Sequence, residues 1–238
     1  MKIDAALLAA HLRLVSMKGR IQSAVFLKDF AVEVVDSDEE VVLKATSVLG
    51  FNHTFAVMDL SDFLKILDSF VGELDFEIRK DGKLIIDSAI GTISYQLADP
   101  DTIDTTLKSF TKIQNSQFKD DSATIEVDAS FLDSYNRMAK LISPDLVEFS
   151  VKGAKLMSKL ISSRGHEAEV EVAKFAEAPS KSTQEKVAAC KINADSFKAV
   201  LDGILLPGEE KFTMTIDGAL RIVYRTYIFI ISKQEVSA

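Results

Sequence analysis

Three histidines, one cysteine and a few clustered carboxylates are the residues of this chain whose types could do chemistry. His11, His53 and His166 stand in unrelated contexts, and none has a second ligand at metal-binding spacing. His11 falls within a helical pattern and reads as a partly exposed helix residue. Asp36, Asp38, Glu39 and Glu40 gather enough negative charge to attract a cation. Their run lacks the glycine and the distal glutamate of a calcium loop, so it reads as a solvated hairpin tip. Asp99 and Asp101 flank Pro100, and turn formation accounts for them. Ser163-Arg164-Gly165-His166 is also a turn signal. No G-x-S-x-G, P-loop or G-x-G-x-x-G is present. The single cysteine, Cys190, allows no internal disulfide and fits a reducing compartment. It lies in the apolar run Val187–Ile192 and is expected to be a small buried residue. No catalytic residue, metal site or cofactor is expected, and an enzyme is the weaker reading.

The elements that position these residues are more informative. An apolar residue, then Asp or Asn, then a helix-forming residue opens an amphipathic run four times: Ile3-Asp4-Ala5, Met58-Asp59-Leu60, Val127-Asp128-Ala129 and Ile192-Asn193-Ala194. The Asx side chain suits an N-cap, because its oxygen accepts from the free N–H groups of a first helical turn. The apolar residue before it ends a strand or staples the helix start.

Around these phrases the pattern predicts helices over 4–18, 59–70, 128–143 and 193–204. Leu7, Leu8, Leu12 and Val15 make the first apolar stripe; Leu60, Phe63, Leu64, Leu67 and Val71 make the second. The third helix presents Phe131, Leu132, Tyr135, Met138 and Ala139. Between the helices lie β-rich stretches, and Thr92–Leu97 alternates as a half-buried strand should. Asp81-Gly82 and Asp217-Gly218 are hairpin signals. Residues 176–186 read as a loop, Val187–Ile192 as a strand, and Leu220–Ser232 as the second arm of a hairpin.

The chain repeats itself. Phe63, Leu67 and Asp68 match Phe197, Leu201 and Asp202 at an offset of 134, and Arg13 falls on Arg137 at an offset of 124. Two strand–cap–helix units in each half indicate a duplicated domain. The expected organisation is a domain over 1–108, a connector over 109–122 and a second domain over 123–238. Phe110, Ile113 and Phe118 are expected to pin the connector.

The chain has 238 residues, of which 47 % are hydrophobic and 27 % charged, and a net charge of −8. That is an ordinary globular composition. The acidic balance argues against retention on nucleic acid by overall charge, though not against a local basic surface. No apolar run approaches the ~20 residues of a membrane span, and Met1-Lys2-Ile3-Asp4 does not begin like a secretory signal.

Asp59-Leu60-Ser61-Asp62-Phe63-Leu64-Lys65-Ile66-Leu67, the Asp81–Ile86 hairpin and Ala98-Asp99-Pro100-Asp101-Thr102 closely resemble the DNA polymerase sliding clamp of T-even-like bacteriophages. Met1-Lys2-Ile3 with its Leu-rich helix also fits, and the two-half layout agrees over the whole chain. The strongest local match covers about 45 residues; the second half agrees in layout more than in residues.

The resemblance implies an α+β DNA-clamp fold, with two similar domains per subunit, helices lining a hole and antiparallel sheets outside. It implies a homotrimeric ring that encircles duplex DNA without sequence specificity and performs no chemistry. An ATP-dependent clamp loader would open it, and it would tether the replicative DNA polymerase at replication sites in the cytoplasm of the infected bacterium, with no membrane partner. The alternatives are a clamp-fold adaptor or structural ring without polymerase tethering, and an α+β enzyme using carboxylates such as Asp36 and Asp99.

On that reading the DNA-facing cations are Arg13, Lys18, Arg20, Lys65, Arg137, Lys140 and Lys198. Asp68 and Asp202 lie on the same segments near helix C-termini, where capping and the macrodipole do not account for them. The hole is therefore expected to be only mildly basic, which suits a ring that must slide. An apolar polymerase tail would dock on the outer face beside Phe110, Ile113 and Phe118, or beside Tyr227 and Phe229 on the last strand.

Overall fold

All four Asx residues cap helices. Asp4 accepts from the Leu7 amide at 2.8 Å, Asp59 from Asp62 at 2.8 Å, Asp128 from Ser130 at 2.9 Å, and Asn193 from Asp195 and Ser196 at 2.9 and 3.1 Å. Each cap satisfies donors that the helix cannot satisfy itself and contributes about 1 kcal/mol. The computed structural model describes residues 2–28, 31–35, 41–46, 53–103, 118–119, 122–204 and 210–234. The expected acidic tip over 36–40, and Phe110 and Ile113, lie outside the described residues.

The chain divides into two compact units, Met1–Lys108 and Ser109–Ala238. The first runs β1 (Lys2–Asp4), α1 (Ala5–Ser16), a 3-10 turn (Met17–Gly19), β2 (Ala24–Leu27), β3 (Ala31–Val35), β4 (Val41–Thr46), β5 (Phe55–Val57), α2 (Leu60–Asp68), β6 (Glu73–Ile78), β7 (Lys83–Ser88) and β8 (Gly91–Gln96). The second runs β9 (Ala123–Val127), α3 (Ala129–Ile142), β10 (Leu146–Lys152), β11 (Lys155–Ile161), β12 (Glu167–Lys174), α4 (Lys181–Ala188), β13 (Lys191–Asn193), α5 (Ala194–Gly203), β14 (Phe212–Ile216), β15 (Leu220–Tyr224) and β16 (Tyr227–Ile231).

Apart from α4 and the 3-10 turn the two orders are the same, and so is the topology. In the first unit the strands lie β1-β6-β7-β8 and β5-β2-β3-β4; in the second they lie β9-β14-β15-β16 and β13-β10-β11-β12. Neighbours within these sets are antiparallel. Even the register repeats, with Ile3 opposite Leu74 and Val127 opposite Phe212. The flanking cross-strand pair has its charges exchanged: Lys2–Glu73 at 3.7 Å in one unit, Glu126–Lys211 at 3.3 Å in the other. The turns Asp81-Gly82 and Asp217-Gly218 place glycine at φ 77° and 69°, in the left-handed region that favours it.

The cores differ in material. In the first unit Leu8, Leu12, Phe63, Leu67, Leu74 and Ile86 are buried, with Phe26 stacked on Phe55 at 4.6 Å. In the second, an aromatic cluster joins α3, α5 and β10. Tyr135 meets Phe197 edge-on at 5.2 Å, Phe149 meets Phe197 at 5.8 Å, and Phe131 lies 5.8 Å from Tyr135. Aromatic pairs of this kind add roughly 0.5–1.5 kcal/mol beyond the burial of their area.

Several expected details are corrected. The buried face of α1 is Ala5, Leu8, Ala9, Leu12 and Val15, whereas Leu7 is exposed. Leucine content suggested one stripe, but the small side chains Ala5 and Ala9 let the helix lie close on that side. His11 is buried, not partly exposed. Val71 follows the end of α2 and is 88 % exposed. Residues 181–188 are helix, not the end of a loop and the start of a strand. Ser180 caps this helix by accepting from Thr183 at 3.2 Å, and Val187 is its buried residue. Strand β13 is only Lys191–Asn193. The last arm is two strands, because Arg225 turns the chain at φ 52°.

Candidate nucleic-acid interface

Each unit places two Asx-capped helices on its sheets, with one face buried and the other open to solvent, and the second unit adds α4. The open faces carry Arg13 on α1, Lys65 on α2, Arg137 and Lys140 on α3, and Lys198 on α5. Lys18 and Arg20 follow α1, with Lys18 in a left-handed conformation at φ 60°. The sequence therefore located these cations on helices and helix ends as expected. They divide by what they touch.

Arg13 donates a short bond from Nη2 to Asp68 Oδ1 at the end of α2. Lys198 donates to Asp202, four residues on in its own helix, at 2.5 Å. These two pairs explain the carboxylates that capping left unexplained. Arg137, Lys140 and Lys65 are exposed and have no hydrogen-bonded or ion-paired partner among the described residues. Asp62, Asp133 and Asp195 share the open faces. With Asp68 and Asp202 they balance the five helix cations, so the surface is close to neutral. The Arg13–Asp68 pair, exposed on both sides, is worth at most about 1 kcal/mol.

Of the residues expected to bind partners, Phe118, Tyr227 and Phe229 lie among the described residues. Phe118 is half-buried, and the guanidinium of Arg221 lies 5.0 Å from its ring centroid. Arg221 also donates to Thr215 Oγ1 at 3.2 Å, and burial pushes it below the ordinary guanidinium range. This cation–π contact fastens the start of the second unit to β15. Phe229 is fully buried and Tyr227 is 9 % exposed, so both belong to the core of their unit. β16 is a continuous apolar run, which in sequence reads alike for a core strand and a pocket lining.

Among the described residues, those considered for chemistry show no shared site. Burial pushes the His11 imidazole down to about 4 and the Cys190 thiol up to about 12, so each stays neutral near pH 7. Among the described residues no group of three His, Cys, Asp or Glu is placed to hold a metal ion. No described helix is long and apolar enough to cross a membrane.

No protein-family model and no curated protein matches the chain. Solved structures do. The chain is similar to the PCNA of A. fulgidus, solved with the C-terminal region of FEN-1, at 14 % identity and TM-score 0.68 over 100 % of this chain and 98 % of that one. The match runs over the whole of this chain and nearly all of that one. The fold is that of the sliding clamps. A second clamp-fold neighbour is the Streptococcus pneumoniae DNA polymerase III β chain, at 12 % identity and TM-score 0.70, covering 99 % of this chain. A third is the Helicobacter pylori β clamp bound to a DNA ligase peptide, at 17 % identity and TM-score 0.66, covering 100 % of this chain. The chain spans 64 % and 67 % of those two bacterial clamp chains. The clamp fold assigns the capped helices and the sheets their architectural places; at these identities it does not assign individual side chains a role.

Proposed function

We propose that this chain is the subunit of a sliding clamp, a ring of three copies that encircles duplex DNA and tethers a replicative DNA polymerase. It is loaded by an ATP-dependent clamp loader and does no chemistry of its own. The observation that carries this reading is the clamp fold over the full length of the chain, built from one unit used twice. The sequence motifs favour a T-even-like phage origin and action in the cytoplasm of the infected host. The working domains are 1–108 and 123–238, joined by 109–122.

A chain built from two like units can join head to tail, and such heterologous contacts close into a ring when the rotation fits. Two sheet edges suit this. β8 and β12 each end a sheet and are six and eight residues long. Unpaired edges of that length invite pairing. Ile90, 75 % exposed, stands at the head of β8, and Met138 and Leu141 are exposed on α3, which packs against β12. Pairing β8 of one copy with β12 of the next covers both edges and carries the sheet around the ring.

Inside the ring, retention is topological, and a nearly neutral helix surface permits sliding. Arg13, Lys18, Arg20, Lys65, Arg137, Lys140 and Lys198 are the DNA-facing set. The polymerase tail docks on the outer face near Phe118, with Phe110 and Ile113 as further candidates in the connector. The test is polymerase product length on primed circular DNA, with and without this protein and its matched loader. Longer products in its presence are expected. Unchanged length with normal loading contradicts polymerase tethering and favours a clamp-fold adaptor.

A further inference from the structure

The helix cations are not equivalent, although the sequence repeat makes them look so. Arg13 and Arg137 occupy the same position on α1 and α3, and Asp68 and Asp202 the same position on α2 and α5. In the first unit Asp68 holds Arg13. In the second unit Asp202 is bonded to Lys198, and Arg137 has no described partner. One difference lies a helical turn earlier. Lys198 sits at i−4 from Asp202, where the first unit has Leu64 at i−4 from Asp68. Asp68 has no lysine beneath it and bonds Arg13 of α1, which packs closely against α2.

We propose that Asp68 is an internal phosphate surrogate that withholds Arg13 from DNA, so that duplex contact falls mainly on Arg137 and Lys140 of α3. A carboxylate and a phosphate present the same planar pair of acceptors to a guanidinium. Arg13 reaches a DNA phosphate only by giving up Asp68, and the exchange gains little. Arg137 makes the same contact with nothing to give up. Each subunit then grips the duplex through one unit and lets it pass the other, which keeps total phosphate engagement low. This inference rests on the sliding-clamp reading.

The experiment measures binding of the full-length protein to a short linear duplex by fluorescence anisotropy across a salt series. Asp68→Asn should tighten binding about three- to tenfold at low salt and steepen the logarithmic salt slope by about 0.9 for each arginine that gains a phosphate. Arg13→Gln alone should change affinity less than about twofold, and Arg137→Gln should weaken it by more than about threefold. The double variant Arg13→Gln with Asp68→Asn should lose the gain. Asp133→Asn removes an exposed carboxylate from α3 without freeing an arginine, and should tighten binding less than Asp68→Asn does. A gain that survives in the double variant, or one no larger than that of Asp133→Asn, overturns the proposal and leaves the clamp reading standing. Absence of any salt-dependent DNA binding in the parent and all five variants counts against both.

Discussion

Tyr135 and Phe197 meet edge-on at 5.2 Å and are both fully buried, one from α3 and one from α5. This contact fixes the spacing of the two helices that the second unit offers to solvent. Phe197 also touches Phe131 and Phe149, so its ring ties both helices to β10. Phe197→Ala should lower unfolding stability by about 3–5 kcal/mol through the lost burial and the cavity left behind. Tyr135→Phe should cost less than about 1 kcal/mol, because the hydroxyl makes only a long 3.5 Å bond to the Ala194 carbonyl. Urea unfolding of both variants checks the pair. Equal losses would show that the hydroxyl, not the ring, holds the helices.

The four caps make a second prediction. Asp4→Ala, Asp59→Ala and Asp128→Ala should each cost about 1 kcal/mol, while Asn193→Asp should be close to neutral. Thermal unfolding of the four variants reads this directly. A cap variant with no loss would mean that its helix start is held by packing alone.

These caps are also where the sequence was most legible. A cap is local chemistry: one side chain, two or three amides, a fixed spacing. The duplication was legible for the same reason, since Phe63 and Phe197, or Asp81-Gly82 and Asp217-Gly218, repeat local roles. Burial of single helix residues was less legible. Leu7 and Leu8 look alike in sequence, and only the tertiary fit through Ala5 and Ala9 sends one out and one in. Helix α4 was missed because the apolar residues 187–190 are too few to show a period. Its start signal, Ser180 three residues before Thr183, was present all the same. Which cations are occupied depends on helix–helix contacts, so the difference between Arg13 and Arg137 became visible only in the folded chain.

His11 gives a pH prediction with a definite sign. Its folded value is pushed down to about 4 by burial, against 6.5 in the unfolded chain. Above about pH 6.5 the imidazole is neutral in both states and costs nothing. As pH falls below that, the unfolded chain takes up a proton that the folded chain refuses, so stability declines and levels off below about pH 4. The loss by about pH 5 should be about 2 kcal/mol. His11→Gln should flatten the stability profile between about pH 7.5 and about pH 5, as read by urea unfolding. Carboxylates held low by hydrogen bonds, such as Asp128 with Ser130 and Glu210 with Arg225, lose their contribution at lower pH still. An unchanged slope in the variant would assign the whole profile to such groups.

Ile90 tests the proposed seam between copies. It is 75 % exposed, so Ile90→Glu should leave the unfolding midpoint of the isolated chain within about 0.5 kcal/mol of the parent. The same change should weaken self-association by at least tenfold, because it places a charge against an apolar contact beside β8. Sedimentation velocity of parent and variant separates the two effects. Undiminished association would move the seam away from this edge.

A closed ring of three copies is the central claim. Sedimentation equilibrium of the full-length protein over a wide concentration range measures the mass of the assembly with no assumption about its shape. Three copies of the 26.2 kDa chain, persisting to low micromolar concentration, are the predicted result. A monomer at the highest concentration reached would contradict it.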